Sequence, residues 1–157
     1  MVIKCYTFKF VCNIIPVIEN GVIFTHQPQG IYNNLRKIDL NNFGKDCFCK
    51  FRIPSNLNKK GVYVLRLNSE NVYVGRCVDL SKRFNTGYGQ ISPRNCYVGG
   101  QTTNCRINKE ILCQAEANSQ IQLYFYETAN HKAVEQDLLT SCKWHWNIQF
   151  SSNNKCK

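Results

Sequence analysis

Gly61-Val62-Tyr63-Val64-Leu65-Arg66-Leu67-Asn68-Ser69-Glu70-Asn71-Val72-Tyr73-Val74-Gly75 carries the clearest structural signal in this chain. Val, Tyr and Leu dominate both halves, as strands favour, and the four polar residues between them are turn formers. The spacing predicts a hairpin of Gly61–Leu67 with Val72–Gly75. Side chains alternate faces along a strand, so loop length sets whether the two tyrosines meet. If Leu67 pairs with Asn71 across a three-residue loop, Tyr63 and Tyr73 fall on one face.

Downstream, Asp79 is suited to cap a helix in which Leu80 and Phe84 share a face with Arg83 beside them. Glycine, serine and proline punctuate a loop from 87 to 103. A second helix is expected to open at Asn104 or Cys105, with Ile107, Ile111 and Leu112 apolar. Ile121–Glu127 predicts a strand, and Asn130 is placed to cap a third helix over His131–Cys142. This β-β-α-α-β-α order predicts an α+β fold, with a small three-stranded antiparallel sheet flanked by helices.

Gly61-Val62-Tyr63, Tyr73-Val74-Gly75, Arg83, Glu135 and Asn147, in that order, resemble the GIY-YIG nuclease family. The resemblance covers residues 59–148 and implies a metal-dependent DNA endonuclease that hydrolyses phosphodiester bonds. It implies Mg²⁺ as cofactor, with Mn²⁺ able to substitute, and Glu135 as the metal ligand. Tyr63 is then the general base or water-positioner, Tyr73 its supporting partner, Arg83 the phosphate clamp and Asn147 the residue that orders the site. Arg76 stands where many members carry lysine, which makes it a second phosphate contact. Many members place His or Tyr four residues after the arginine. Here that position is Gly87, and Tyr88 follows one later.

The residue types suit the chemistry. Phosphodiester hydrolysis needs an activated water and charge stabilisation on the phosphoryl oxygens. A hard carboxylate suits Mg²⁺, which keeps most of its waters. Glu135 lies within the helical stripe Val134, Leu138, Leu139, Cys142, and a carboxylate on an apolar face must be paired or metal-bound. The inert counterpart is an inward glutamate neutralised by an arginine. A guanidinium fork matches two phosphate oxygens. A phenol has a pKa near 10, so a base role requires a nearby cation. In the long loop, Arg94, Gln101 and Asn104 are of the types that read base edges, and any glycine-rich surface loop contains such residues too.

Composition bounds these readings. The 157 residues carry 20 Lys and Arg against 10 Asp and Glu, a net charge of +10, which favours a polyanionic partner such as DNA. Apolar content of 43% argues against disorder. No apolar run is long enough to span a bilayer. Lys9 and Asn13 interrupt the apolar N-terminus, so the sequence reads as intracellular and cytoplasmic, with no membrane partner. Ten cysteines without a CxxC pair suggest free thiols; Cys142-x-x-His145 with Cys96 or Cys105 is the zinc grouping of note. Residues 1–52 predict a β-rich extension without a readable role, with strands at Lys4–Cys12, Ile14–Ile18, Val22–Thr25 and Asp46–Ile53. A short helix is expected near Leu35–Leu40, and residues 149–157 form a polar tail. Cutting both DNA strands would require a homodimer or two successive nicks. The counterpart to an enzyme is a non-catalytic nucleic-acid-binding module of the same fold; a disulfide-bonded secreted protein is a third reading.

Overall fold

The computed structural model describes residues 1–148 of the chain, and the expected polar tail at 149–157 lies outside the described residues. The fold is mixed α+β, built from small antiparallel sheets and helices. It divides into two compact units, neither continuous in sequence. The first comprises Met1–Asn13, Leu57–Leu80 and the described part of Gln120–Lys157; the second comprises Ile14–Asn56 and Ser81–Ser119. A boundary near residue 52 therefore gives way to an interleaved arrangement. Among the described residues no helix is long and apolar enough to cross a membrane.

The first unit is organised by one antiparallel sheet, in the order Lys9–Asn13, Ile121–Glu127, Gly61–Leu67, Glu70–Cys77. The sheet has four strands where three were expected, because part of the presumed extension pairs with Ile121–Glu127. The predicted strand Lys4–Cys12 is broken at Lys4 (φ 55°), which turns Val2–Ile3 back on Tyr6–Thr7. Phe8, 1% exposed, then anchors the chain in the core before the new edge strand begins.

The hairpin turn holds Asn68 and Ser69 at φ 44° and 80°, the left-handed pair of a two-residue type I′ turn. Leu67 thus pairs with Glu70 and not with Asn71. A bulge between Leu65 and Arg66 on one strand and the 71–73 segment opposite supplies the extra residue, after which Leu65 pairs with Tyr73 and Tyr63 with Gly75. Tyr63, Leu65, Tyr73 and Gly75 share one face. Val62, Val64, Val74 and Arg76 share the other, and that face packs on the helix His131–Ser141 through Val134 and Leu138. Asn130 precedes this helix, but its side chain makes no capping hydrogen bond. At the other end, Trp144 Nε1 donates to the Leu138 carbonyl at 2.9 Å.

The second unit is built on the helix Thr102–Glu116, which begins two residues before the expected start. Phe48, Phe51, Phe84, Tyr88, Ile91, Cys96, Cys105, Ile107 and Ile111 are at most 2% exposed and form its interior. Two short ladders, Ile18–Glu19 with Val22–Ile23 and Thr25–His26 with Phe48–Cys49, replace the longer strands expected there. Leu40 bridges to Tyr97 in place of a helix near 35–40. Residues 14–56 are therefore the scaffold of the 87–104 loop. Tyr97 donates its hydroxyl hydrogen to the Gln29 carbonyl at 2.9 Å, and Asn41 Nδ2 donates to the Asn95 carbonyl at 2.7 Å.

A single device recurs in both units: an asparagine amide that bonds both the N–H and the C=O of one distant residue. Asn85 does so with Ile53, Asn108 with Cys49 and Asn147 with Val74, at 2.8–3.0 Å. Asn108 is 0% exposed, and its Nδ2 also donates to the Tyr88 carbonyl at 2.7 Å. Such amides take the place of a neighbouring strand where none runs.

Candidate active site residues and their settings

In the first unit the sheet brings Tyr63 and Tyr73 together. Their ring centroids are 6.2 Å apart, and Tyr63 and Tyr73 are 1% and 6% exposed. The Tyr63 ring lies flat across Gly75: a Cβ there would stand 2.5 Å from the Tyr63 hydroxyl oxygen and 2.6 Å from Cζ. Glycine is required at this position by the ring above it, a close approach that no other residue permits.

Glu135 meets Arg76, whose Nε lies 2.7 Å from Oε2. The Glu135 side chain is 20% exposed and that of Arg76 41%. Burial pushes the Glu135 carboxyl above its usual range, and the Arg76 guanidinium, with a smaller contribution from His131, pulls against it. By strand alternation the tyrosines and this ion pair belong to opposite faces. Both nonetheless reach the edge strand at adjacent residues, the Tyr63 hydroxyl over Gly75 and Glu135 at Arg76. Asn147 joins the same strand one residue earlier. Val74 N–H donates to its Oδ1 at 3.0 Å, and its Nδ2 donates to the Val74 carbonyl at 2.8 Å. Trp146 N–H adds a bond to the Val72 carbonyl at 2.9 Å. This segment closes the exposed edge of the sheet, and Asn147 does not cap the preceding helix.

In the second unit the departure at Gly87 has a structural answer. Arg83–Tyr88 is a π-helical turn, closed by a hydrogen bond from Gly89 N–H to the Phe84 carbonyl five residues back, at 2.6 Å. The wider turn carries Tyr88 onto the face of Arg83. Arg83 Nη2 donates to the Tyr88 hydroxyl at 2.6 Å, and the guanidinium carbon lies 4.2 Å from the ring centroid. Arg83 Nη1 donates to Asn104 Oδ1 at 3.1 Å, and Asn104 Nδ2 donates to Gln101 Oε1 at 2.9 Å. Arg83, Gly100, Gln101, Thr102, Thr103 and Asn104 line an open cavity of about 470 Å³.

The loop residues fall in different settings. Asn104 is 2% exposed and its amide is engaged on both sides, so it does not present an edge to a base. Arg94 Nη1 donates to the carbonyls of Tyr97 and Val98 at 3.3 and 3.0 Å, which folds the turn before Gly99 (φ 79°). Gln101 is exposed at the cavity wall. Sequence reasoning missed the buried roles of Asn85 and Asn108; a polar residue amid the apolar positions of a helix is the signal that marks both.

Cys49 and Cys105 are buried, and burial pushes each thiol up to about 12. Among the described residues no disulfide joins any of the nine cysteines, and no group of three or more His, Cys, Asp or Glu side chains is placed to hold a metal. His145 of the zinc grouping pairs with Glu70, Nε2 to Oε1 at 3.1 Å. No family model, curated protein or solved structure matches this chain.

Proposed function

We propose that this protein is a Mg²⁺-dependent DNA endonuclease of GIY-YIG type, hydrolysing phosphodiester bonds. The observation that supports this reading most is at the edge strand Glu70–Cys77. There the Tyr63 hydroxyl lies over Gly75 on one face of the sheet, and Glu135 reaches the next residue from the other face. The donor chemistry fits Mg²⁺: one hard carboxylate, partly open to solvent, for an ion that needs few protein ligands and retains its waters. When bound, the ion supplies positive charge to the phosphoryl oxygens and eases deprotonation of water.

The chain's own groups do the rest. Glu135 contributes the negative charge that holds the ion, and Arg76, beside it, is a cation for the phosphate once the carboxylate is otherwise engaged. Tyr63 positions the attacking water with its hydroxyl, supported by Tyr73. Arg83 stabilises charge that develops on the phosphoryl oxygens. Asn147 holds Val74 and so fixes the strand that carries Tyr73, Gly75 and Arg76. Gln101, exposed at the cavity wall, is the loop residue that contacts DNA in this reading. The same charge balance, with ten more basic than acidic residues, supports binding of the polyanion. A restriction-like role and a repair or structure-selective role both accord with these groups, as does action by a homodimer.

One observation favours a second reading, a nucleic-acid-binding module that keeps the fold without catalysis. Arg76 already satisfies Glu135, the pairing that an inert inward glutamate would make. The two readings separate in one experiment. Purified protein is incubated with plasmid DNA in Mg²⁺ or Mn²⁺, alongside Glu135→Gln and Arg83→Ala. The nuclease reading expects cleavage by the wild type alone, with DNA still bound by Glu135→Gln. Binding without cleavage by the wild type selects the module, and wild-type-like cleavage by Glu135→Gln ends the mechanism.

A further inference from the structure

The roles above leave one group unused. Asn104 is buried to 2% exposure in the first turn of the helix Thr102–Glu116, too enclosed to touch a base. Its two amide atoms point to two different partners. Oδ1 accepts from Arg83 Nη1 at 3.1 Å, and Nδ2 donates to Gln101 Oε1 at 2.9 Å. Tyr88 takes the other terminal nitrogen of Arg83 at 2.6 Å and lays its ring under the guanidinium.

An arginine side chain has several rotatable bonds, and holding it in one direction costs rotamer freedom. Asn104 and Tyr88 meet that cost with oriented contacts on both terminal nitrogens. Asn104 and Tyr88 are neutral side chains, so these two contacts orient the guanidinium and take none of the charge that an aspartate at 104 would cancel. The cavity of about 470 Å³ opens beside the same guanidinium, bounded by Gln101 on the Gly-rich turn.

We propose that Asn104 is a positioning residue for Arg83. It fixes the guanidinium toward the cavity and, through Gln101, ties that direction to the conformation of the 99–101 turn. The proposal rests on the reading of Arg83 as the group that meets a nucleic-acid phosphate. It makes the loop a determinant of how well the arginine is aimed, in addition to any contact the loop makes itself.

The test is a double-mutant cycle of Arg83→Ala and Asn104→Ala. Affinity for a duplex oligonucleotide is read by fluorescence anisotropy, and cleavage of the same duplex in Mg²⁺ gives kcat and KM. Asn104→Ala is expected to weaken affinity several-fold and to lower kcat by about 10- to 100-fold with a smaller change in KM, as a misaimed group does. The double variant is expected to be no worse than Arg83→Ala alone, the signature of two residues acting as one. Asn104→Asp, nearly isosteric, guards against loss of fold: it keeps an acceptor for Arg83 but cancels its charge, so KM should rise while the melting temperature holds. Additive losses in the double variant, or wild-type behaviour of Asn104→Ala, overturn the proposal. A wild type that binds but does not cut ends the nuclease reading instead, and the affinity cycle still decides the role of Asn104.

Discussion

Arg76 Nε lies 2.7 Å from Glu135 Oε2, and this pair couples the edge strand to the helix that carries the motif glutamate. Burial raises the carboxyl pKa even with the guanidinium in place, so Arg76 limits a cost that burial imposes.

Arg76→Ala is therefore expected to raise the Glu135 pKa further, measured by NMR titration of the side-chain carbonyl. For a carboxyl whose folded pKa is raised, the stability it contributes is present when it is protonated and is lost as pH rises through the folded pKa. Loss of Arg76 should thus cost little at acid pH. Near pH 7 it should cost about 1 kcal/mol, held low because Arg76 is 41% exposed. Equal shifts in melting temperature at both pH values would contradict the assignment. Metal-dependent cleavage should fail on the acid side as protons compete with the ion for Glu135.

Two glycines make opposite predictions. Gly75→Ala drives a Cβ to 2.5 Å from the Tyr63 hydroxyl and should cost about 1–3 kcal/mol by displacing that ring. A Cβ on Gly87 meets nothing closer than 3.8 Å, and its φ is not left-handed. Gly87→Ala should be neutral or stabilising by about 0.5–1 kcal/mol through helix propensity. Thermal melts of the two variants check both, and a tolerated Gly75→Ala would remove the close approach of Tyr63.

Asn147→Ala leaves the main chain of Val74 without both side-chain partners and should cost about 1–3 kcal/mol. Asn147→Asp keeps an acceptor for the Val74 N–H but sets a carboxylate against its carbonyl. Amide hydrogen exchange at Val74 should quicken strongly in Asn147→Ala and less in Asn147→Asp. Unchanged protection in both variants would show that the edge is held by other bonds.

The wide turn at Arg83–Tyr88 predicts that one residue there is dispensable. Deleting Gly87 should convert the π turn to an α turn and leave the tyrosine four residues after the arginine, still on its face. The deletion variant should keep its fold by circular dichroism and retain DNA binding. Loss of binding with the fold intact would mean that the π geometry itself is needed.

What the sequence disclosed was local. The hairpin, the helix His131–Ser141 and the strand Ile121–Glu127 follow from short-range patterns of apolar and turn residues. The place of Lys9–Asn13 in the four-stranded sheet did not, because this strand pairs with residues more than a hundred positions away and buries little of its own surface. The bulge that restores the Tyr63–Tyr73 register was equally hidden, since Asn68-Ser69-Glu70-Asn71 is compatible with several loop lengths. Glu135, Arg83 and Tyr63 were singled out in the sequence by order and spacing alone. Their partners Arg76, Asn104 and Gly75 were recognised only by position, because what each touches is set by tertiary packing.

The interleaving of the two units has a consequence for synthesis. Ile121–Glu127 lies between Lys9–Asn13 and Gly61–Leu67 in the sheet, yet it is the last of the four strands to be made. Every residue of the second unit, Ile14–Asn56 and Ser81–Ser119, is synthesised and emerges from the ribosome ahead of that strand. The nascent chain can complete the second unit while its first thirteen residues, Phe8 among them, still wait for a neighbour. A chaperone that shields the early apolar segment would act in this interval, and translation stalled at Ser119 would hold a hairpin with one flank unpaired.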